Sequence, residues 1–126
     1  MKRLSFIAAL CVLPLLGQAE EKIKHVDAEK GAKLVAEGKV NVLDVRTPEE
    51  YGEGHIKGAT NVDIMSKDFD AQVAKLDKSK PVLVHCQAGG RSTRSLPKLE
   101  KAGFTEIYHL DGGMKDWVKA GKPVEK

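Results

Sequence analysis

The chain is expected to adopt an α/β fold, an open parallel β-sheet flanked by helices on both faces. Three observations carry that expectation. Short apolar runs at residues 40–45, 81–85 and 106–110 are of strand length and are separated by amphipathic stretches of helix length. Strands alternating with helices imply a parallel sheet, since each return crosses over through a helix. The helical stretches also carry their own start and stop residues.

The elements follow in order. Asp27 caps a helix through about Glu37, with Ala28, Ala32, Leu34, Val35 and Ala36 as its apolar stripe and Gly38 closing it. The run Val40-Asn41-Val42-Leu43-Asp44-Val45 reads as a buried strand. Thr47-Pro48-Glu49-Glu50 has capping-box spacing with proline at the first helical position, so a short helix through Tyr51 follows, broken by Gly52, Gly54 and Gly58. Residues 58–64 form a short extended segment, and Ser66 or Asp68 opens an amphipathic helix to about Leu76. Pro81-Val82-Leu83-Val84-His85 is the clearest strand. A helix over residues 91–102 closes at Gly103, residues 106–110 make the last strand, and Gly112-Gly113 leads into a final helix over 114–119. Pro97 conflicts with the helix around it, because proline removes a hydrogen bond and crowds the preceding turn at a cost of about 3 kcal/mol. A kink or a shortened first segment is expected there.

The N-terminus reads as an export signal over residues 1–19. Lys2 and Arg3 precede an apolar stretch too short to span a bilayer, and Gly17 and Ala19 supply the small residues of a cleavage site. Residues 20–126 then form one domain, exported to the periplasm, with no membrane attachment after cleavage. Loss of Lys2 and Arg3 takes the formal charge from +3 to +1, and the remaining lysines are scattered among acids, so nucleic-acid binding has no support. Of two cysteines, Cys11 leaves with the signal and Cys86 remains. A single thiol in an oxidising compartment forms no internal disulfide; it is buried incidentally or used for its chemistry.

The position of Cys86 bears on that choice. Ligands of open parallel sheets bind beyond the carboxyl ends of strands, and Cys86 directly follows the strand ending at His85. Gly89 and Gly90 allow a tight turn with uncovered amides, and the next helix points its positive end at the same place. Such a loop cradles an anion and favours a thiolate. A thiol of pKa about 8.5 is only ~3% ionised at pH 7, and a helix end worth ~1.4 kcal/mol raises that to roughly a quarter.

The segment Cys86-Gln87-Ala88-Gly89-Gly90-Arg91-Ser92 resembles the active-site loop C-x-x-G-x-R-S of single-domain rhodaneses. The resemblance extends to Leu43-Asp44-Val45-Arg46-Thr47-Pro48-Glu49-Glu50-Tyr51, to Gly54-His55-Ile56-Lys57-Gly58-Ala59, and to Ala102-Gly103-Phe104 with Leu110-Asp111-Gly112-Gly113-Met114 and Trp117. It implies a rhodanese-like sheet and a thiosulfate sulfurtransferase without cofactor, in which Cys86 takes a sulfane sulfur as a persulfide and passes it to a thiol or cyanide. Carried over residue by residue, the loop amides of Gln87, Ala88, Gly89, Gly90 and Arg91 would hold the small anionic donor. Gln87 departs from members with a basic residue at that position, which weakens the case for thiosulfate as the favoured donor.

Alternatives remain at several residues. Arg91 either binds the donor's oxyanion or ties the loop to a carboxylate, and Gln87 being neutral favours the oxyanion. Asp44 and Arg46 read as a structural ion pair, His85 as structural because strand neighbours alternate faces, and Trp117 and Phe104 as core anchors. His55 and His109 stand isolated in sequence, and no metal-ligand spacing appears. A cysteine-dependent phosphatase would need C-x-x-x-x-x-R, one residue more than separates Cys86 from Arg91. A carrier or binding module delivering its sulfur to a partner protein is the remaining alternative.

Overall fold

The computed structural model describes residues 22–126, so the expected export signal over 1–19 lies outside the described residues. The elements run β1 (Ile23–Val26), α1 (Ala28–Ala36), β2 (Asn41–Asp44), α2 (Pro48–Glu53), β3 (Thr60–Asn61), α3 (Phe69–Ala74), β4 (Val82–His85), α4 (Gly90–Lys101), β5 (Ile107–Leu110) and α5 (Gly113–Lys119). The five strands form one sheet in the order β1-β5-β4-β2-β3, and every pairing is parallel.

Helices cover both faces, as the alternation of elements implies. On one face Leu43, Val84 and Ile107 of the strands pack against Phe69 and Val73 of α3 and Leu96 and Leu99 of α4. On the other, Val42, Leu83 and Leu110 pack against Ala28 and Leu34 of α1 and Met114 and Trp117 of α5. Consecutive strand residues serve opposite cores, so β4, at the centre of the sheet, is buried at all four positions. Trp117 is fully buried, and its indole N–H donates to Pro123 O at 2.8 Å, so the largest side chain of this core leaves no polar atom unpaired.

Two of the caps read from the sequence are present, whereas Asp68 precedes α3 without a side-chain cap bond. Asp27 accepts from Lys30 N at 2.9 Å, and Thr47 and Glu50 exchange the reciprocal bonds of a capping box with Pro48 at the start of the helix. Two features differ from expectation. The edge strand β1 was not anticipated, because Ile23–Val26 is short and half polar; its pairing with β5 makes it a strand. Of the two outcomes expected at Pro97, the shortened segment does not occur: α4 continues over twelve residues with Pro97 inside it. Pro97 and Thr93 both lie on the exposed side, where water can reach the Thr93 carbonyl that loses its partner.

Candidate active site

The order β1-β5-β4-β2-β3 reverses direction between β4 and β2, since the chain leaves β2 toward one edge and β4 toward the other. The crevice beyond the carboxyl ends of these two strands is where open sheets place ligands. Cys86 stands there, one residue past β4.

The loop is shaped by what its carbonyls do. Cys86 O accepts from His85 Nδ1 and from Met114 N, both at 2.9 Å, and Gln87 O accepts from Lys115 N at 3.0 Å. The N-terminus of α5 therefore holds the loop's carbonyls from behind. Gly113 makes this possible: it has φ +61°, and a Cβ there would lie 2.6 Å from both carbonyl oxygens. Gly89 turns the chain into α4 with φ +113°, and a Cβ there would meet Asp111 O at 2.6 Å. With the carbonyls drawn outward, the amides face the sulfur.

Gly89 N donates to Cys86 Sγ at 3.0 Å, and Ser92 Oγ donates from 3.4 Å. Cys86 is only 1% exposed. Burial by itself would push its thiol up, but hydrogen bonds from the Ser92 hydroxyl and from the amides of Ser92, Gly89 and Ala88 outweigh it and hold the pKa below the ordinary thiol value. An inert thiol in an apolar core has no such set of donors. Of the residues expected to line the site, Ala88 and Gly89 contribute amides to the sulfur; Gln87, in the loop, and Gly90, the first residue of α4, are exposed. Ser92, to which the motif alone assigns no role, is a further donor to the sulfur.

Arg91 takes up the second of its two alternatives. Its guanidinium binds Glu50 in a bidentate pair, Nη1 to Oε1 at 2.7 Å and Nη2 to Oε2 at 3.0 Å. The hydrogen bond from Arg91 is the main reason that the Glu50 carboxyl is lowered from 4.5 to about 2. Glu50 thus both caps α2 and ties α2 to the start of α4. Nothing in the sequence spacing of 41 residues signals this pairing.

Asp44 and Arg46 form the structural ion pair that was expected: Nη2 donates to Asp44 Oδ2 at 2.6 Å and to Gly54 O at 2.8 Å, with both side chains buried. His85 is structural as well, with Nδ1 spent on the Cys86 carbonyl. The isolation of His55 and His109 is corrected by the tertiary contacts. His55 stacks on Tyr51 with ring centroids 3.9 Å apart. His109 is joined to the thiol loop, its Nε2 lying 2.7 Å from Ser92 Oγ, while its Nδ1 lies 2.8 Å from Asp111 Oδ1 and 3.2 Å from His25 Nδ1. Burial pushes the His109 pKa down from the ordinary histidine value, against the opposing pull of the Asp111 carboxylate. The spacing of His109 and Asp111, two apart at a strand end, could have shown that they share a face. The third member, His25, is far away in sequence.

Comparison with known proteins agrees with this geometry. The model of the rhodanese-like domain matches residues 27–120. Thiosulfate sulfurtransferase 16, chloroplastic, of Arabidopsis thaliana is 41% identical over 93 residues, covering 66% of this chain and 78% of that protein. Thiosulfate sulfurtransferase GlpE of Pseudomonas entomophila is 38% identical over 97 residues, covering 76% and 85%. The tRNA uridine(34) hydroxylase of Pelagibacter ubique is 35% identical over 111 residues, but those cover 87% of this chain and only 37% of that protein. Among solved structures, a rhodanese-related protein from Thermoplasma volcanium superposes with a TM-score of 0.72 at 27% identity, covering 81% of this chain and 97% of that one. With residues 27–120 matched, most of the described residues, the chain belongs to the rhodanese-like domain family.

Proposed function

We propose that this protein is a sulfurtransferase that carries sulfane sulfur as a persulfide on Cys86. The observation that carries the reading is the ring of donors on Sγ: the Gly89 amide at 3.0 Å, the Ser92 hydroxyl at 3.4 Å, and a pKa held down against burial. These donors stabilise the thiolate that attacks and the anionic persulfide that results.

In the first half-reaction the Cys86 thiolate attacks the outer sulfur of a donor such as thiosulfate. A Cys86–S bond forms, the donor's S–S bond breaks, and sulfite leaves with the bonding pair. In the second, a thiolate or cyanide attacks the outer sulfur, and Cys86 leaves as the thiolate that the loop is built to hold. The same donors serve both steps, since the charge returns to the same place. A small anionic donor and a thiol or cyanide acceptor are the substrates; a thiol on a partner protein satisfies the same chemistry.

Names among the relatives support the class, two of them being thiosulfate sulfurtransferases. Thiosulfate stands for a class of small sulfane-sulfur donors, because Gln87 is itself neutral and Arg91 is engaged by Glu50. Intact mass spectrometry tests the reading. Protein mixed with thiosulfate, or with glutathione persulfide where thiosulfate fails, should gain one sulfur atom that cyanide removes. Cys86→Ser should keep the fold and gain none. Absence of a cyanide-reversible adduct with both donors would overturn the proposal.

A further inference from the structure

Three side chains behind the thiol loop converge on one point. His25 and His109 are register partners on the parallel strands β1 and β5, so both imidazoles leave the same face of the sheet side by side. Asp111, two residues beyond His109, brings its carboxylate to the same spot. The three donor atoms form a small triangle: His25 Nδ1 to Asp111 Oδ1 is 2.7 Å, His109 Nδ1 to the same oxygen 2.8 Å, and the two Nδ1 atoms are 3.2 Å apart. Among the described residues no other group of three His, Cys, Asp or Glu side chains closes in this way.

We propose that His25, His109 and Asp111 bind a divalent transition-metal ion, with zinc as the reference case. Donors held about 2.0–2.1 Å from a common ion stand roughly 2.9–3.4 Å apart, between octahedral and tetrahedral angles, and the triangle needs to open by only a few tenths of an ångström to meet that range. Two imidazole nitrogens and one carboxylate select a borderline ion of the zinc, cobalt or nickel type over calcium or magnesium. The second coordination sphere is in place. Ser92 Oγ lies 2.7 Å from His109 Nε2 and can accept its N–H, which leaves Nδ1 as the ligand atom and fixes the ring. His109 is buried, while the His25 and Asp111 side chains are each more than half exposed, so one ligand anchors the ion and the open side admits it with its remaining waters.

Titration of untagged, chelator-treated protein with zinc, followed by calorimetry, and with cobalt, followed by its visible d–d absorption, provides the test. Cys86→Ser is run in parallel, because a thiolate is the competing ligand. One equivalent should bind to the original protein and to Cys86→Ser alike, without a sulfur-to-cobalt charge-transfer band. His25→Ala and Asp111→Asn change exposed side chains; each should weaken binding by roughly 100-fold or more while the melting curve stays cooperative. Binding lost in Cys86→Ser, binding unchanged in His25→Ala, or no stoichiometric binding would each overturn the proposal.

Discussion

Replacing Glu50 by Gln tests how the thiol loop is held. Gln keeps the capping-box geometry at the third position of α2, so the substitution removes the charge that faces Arg91 and little else. Lowering the carboxyl from 4.5 to about 2 corresponds to an upper bound of ~3.4 kcal/mol. About a quarter of the Arg91 side chain and somewhat more of Glu50 reach solvent, and water screens the pair, so we expect about 1–2 kcal/mol. The folded-state pKa is depressed, so this stability is fully present above pH 4.5 and is lost as the pH falls toward 2. Urea unfolding at pH 7 should therefore show Glu50→Gln destabilised by about 1–2 kcal/mol, several degrees in Tm for a domain of this size. The gap should close in parallel titrations carried toward pH 2. If the pair braces the loop, persulfide formation and persulfide discharge should both slow, in Glu50→Gln and in Arg91→Ala alike. Unchanged stability at pH 7, or an Arg91→Ala variant that melts normally and loses only the formation step, would refute the brace and return Arg91 to the donor's oxyanion.

Further outcomes follow from the same geometry. Ser92→Ala removes a hydroxyl bond to the sulfur and should raise the Cys86 pKa by about one to two units, the value of a hydrogen bond to a charged group; the pH midpoint of iodoacetamide alkylation reports it, and an unmoved midpoint would show that the backbone amides suffice. Gly89→Ala forces a Cβ toward the Asp111 carbonyl at φ +113° and should cost about 2 kcal/mol or more in stability with loss of persulfide formation, read by melting and mass spectrometry. The export reading predicts that the protein recovered from a periplasmic extract begins at Glu20, and N-terminal sequencing that finds Met1 on the soluble protein would reject it.

Several features could be read from the chain alone, and they are local ones. The cap at Asp27, the capping box at Thr47 and Glu50, the strand before Cys86 and the glycine turn after it depend on residues a few positions apart, where propensity and hydrogen-bond geometry decide the outcome. Alternation of strands and helices implied a parallel sheet, because parallel returns need crossovers. The position of Cys86 at a strand's carboxyl end carried the chemistry with it. The rest was decided by tertiary structure. Ile23–Val26 becomes a strand because β5 offers it an edge, not because its own residues demand one. Pro97 is tolerated inside α4 because its side of the helix faces water. Glu50 meets Arg91 41 residues away, and His25 meets His109 and Asp111 84 and 86 residues away, separations that leave no periodicity to detect. Spacing along a sequence reports neighbours along a helix or strand; which elements lie side by side is settled by how the sheet is ordered and how its two faces are covered.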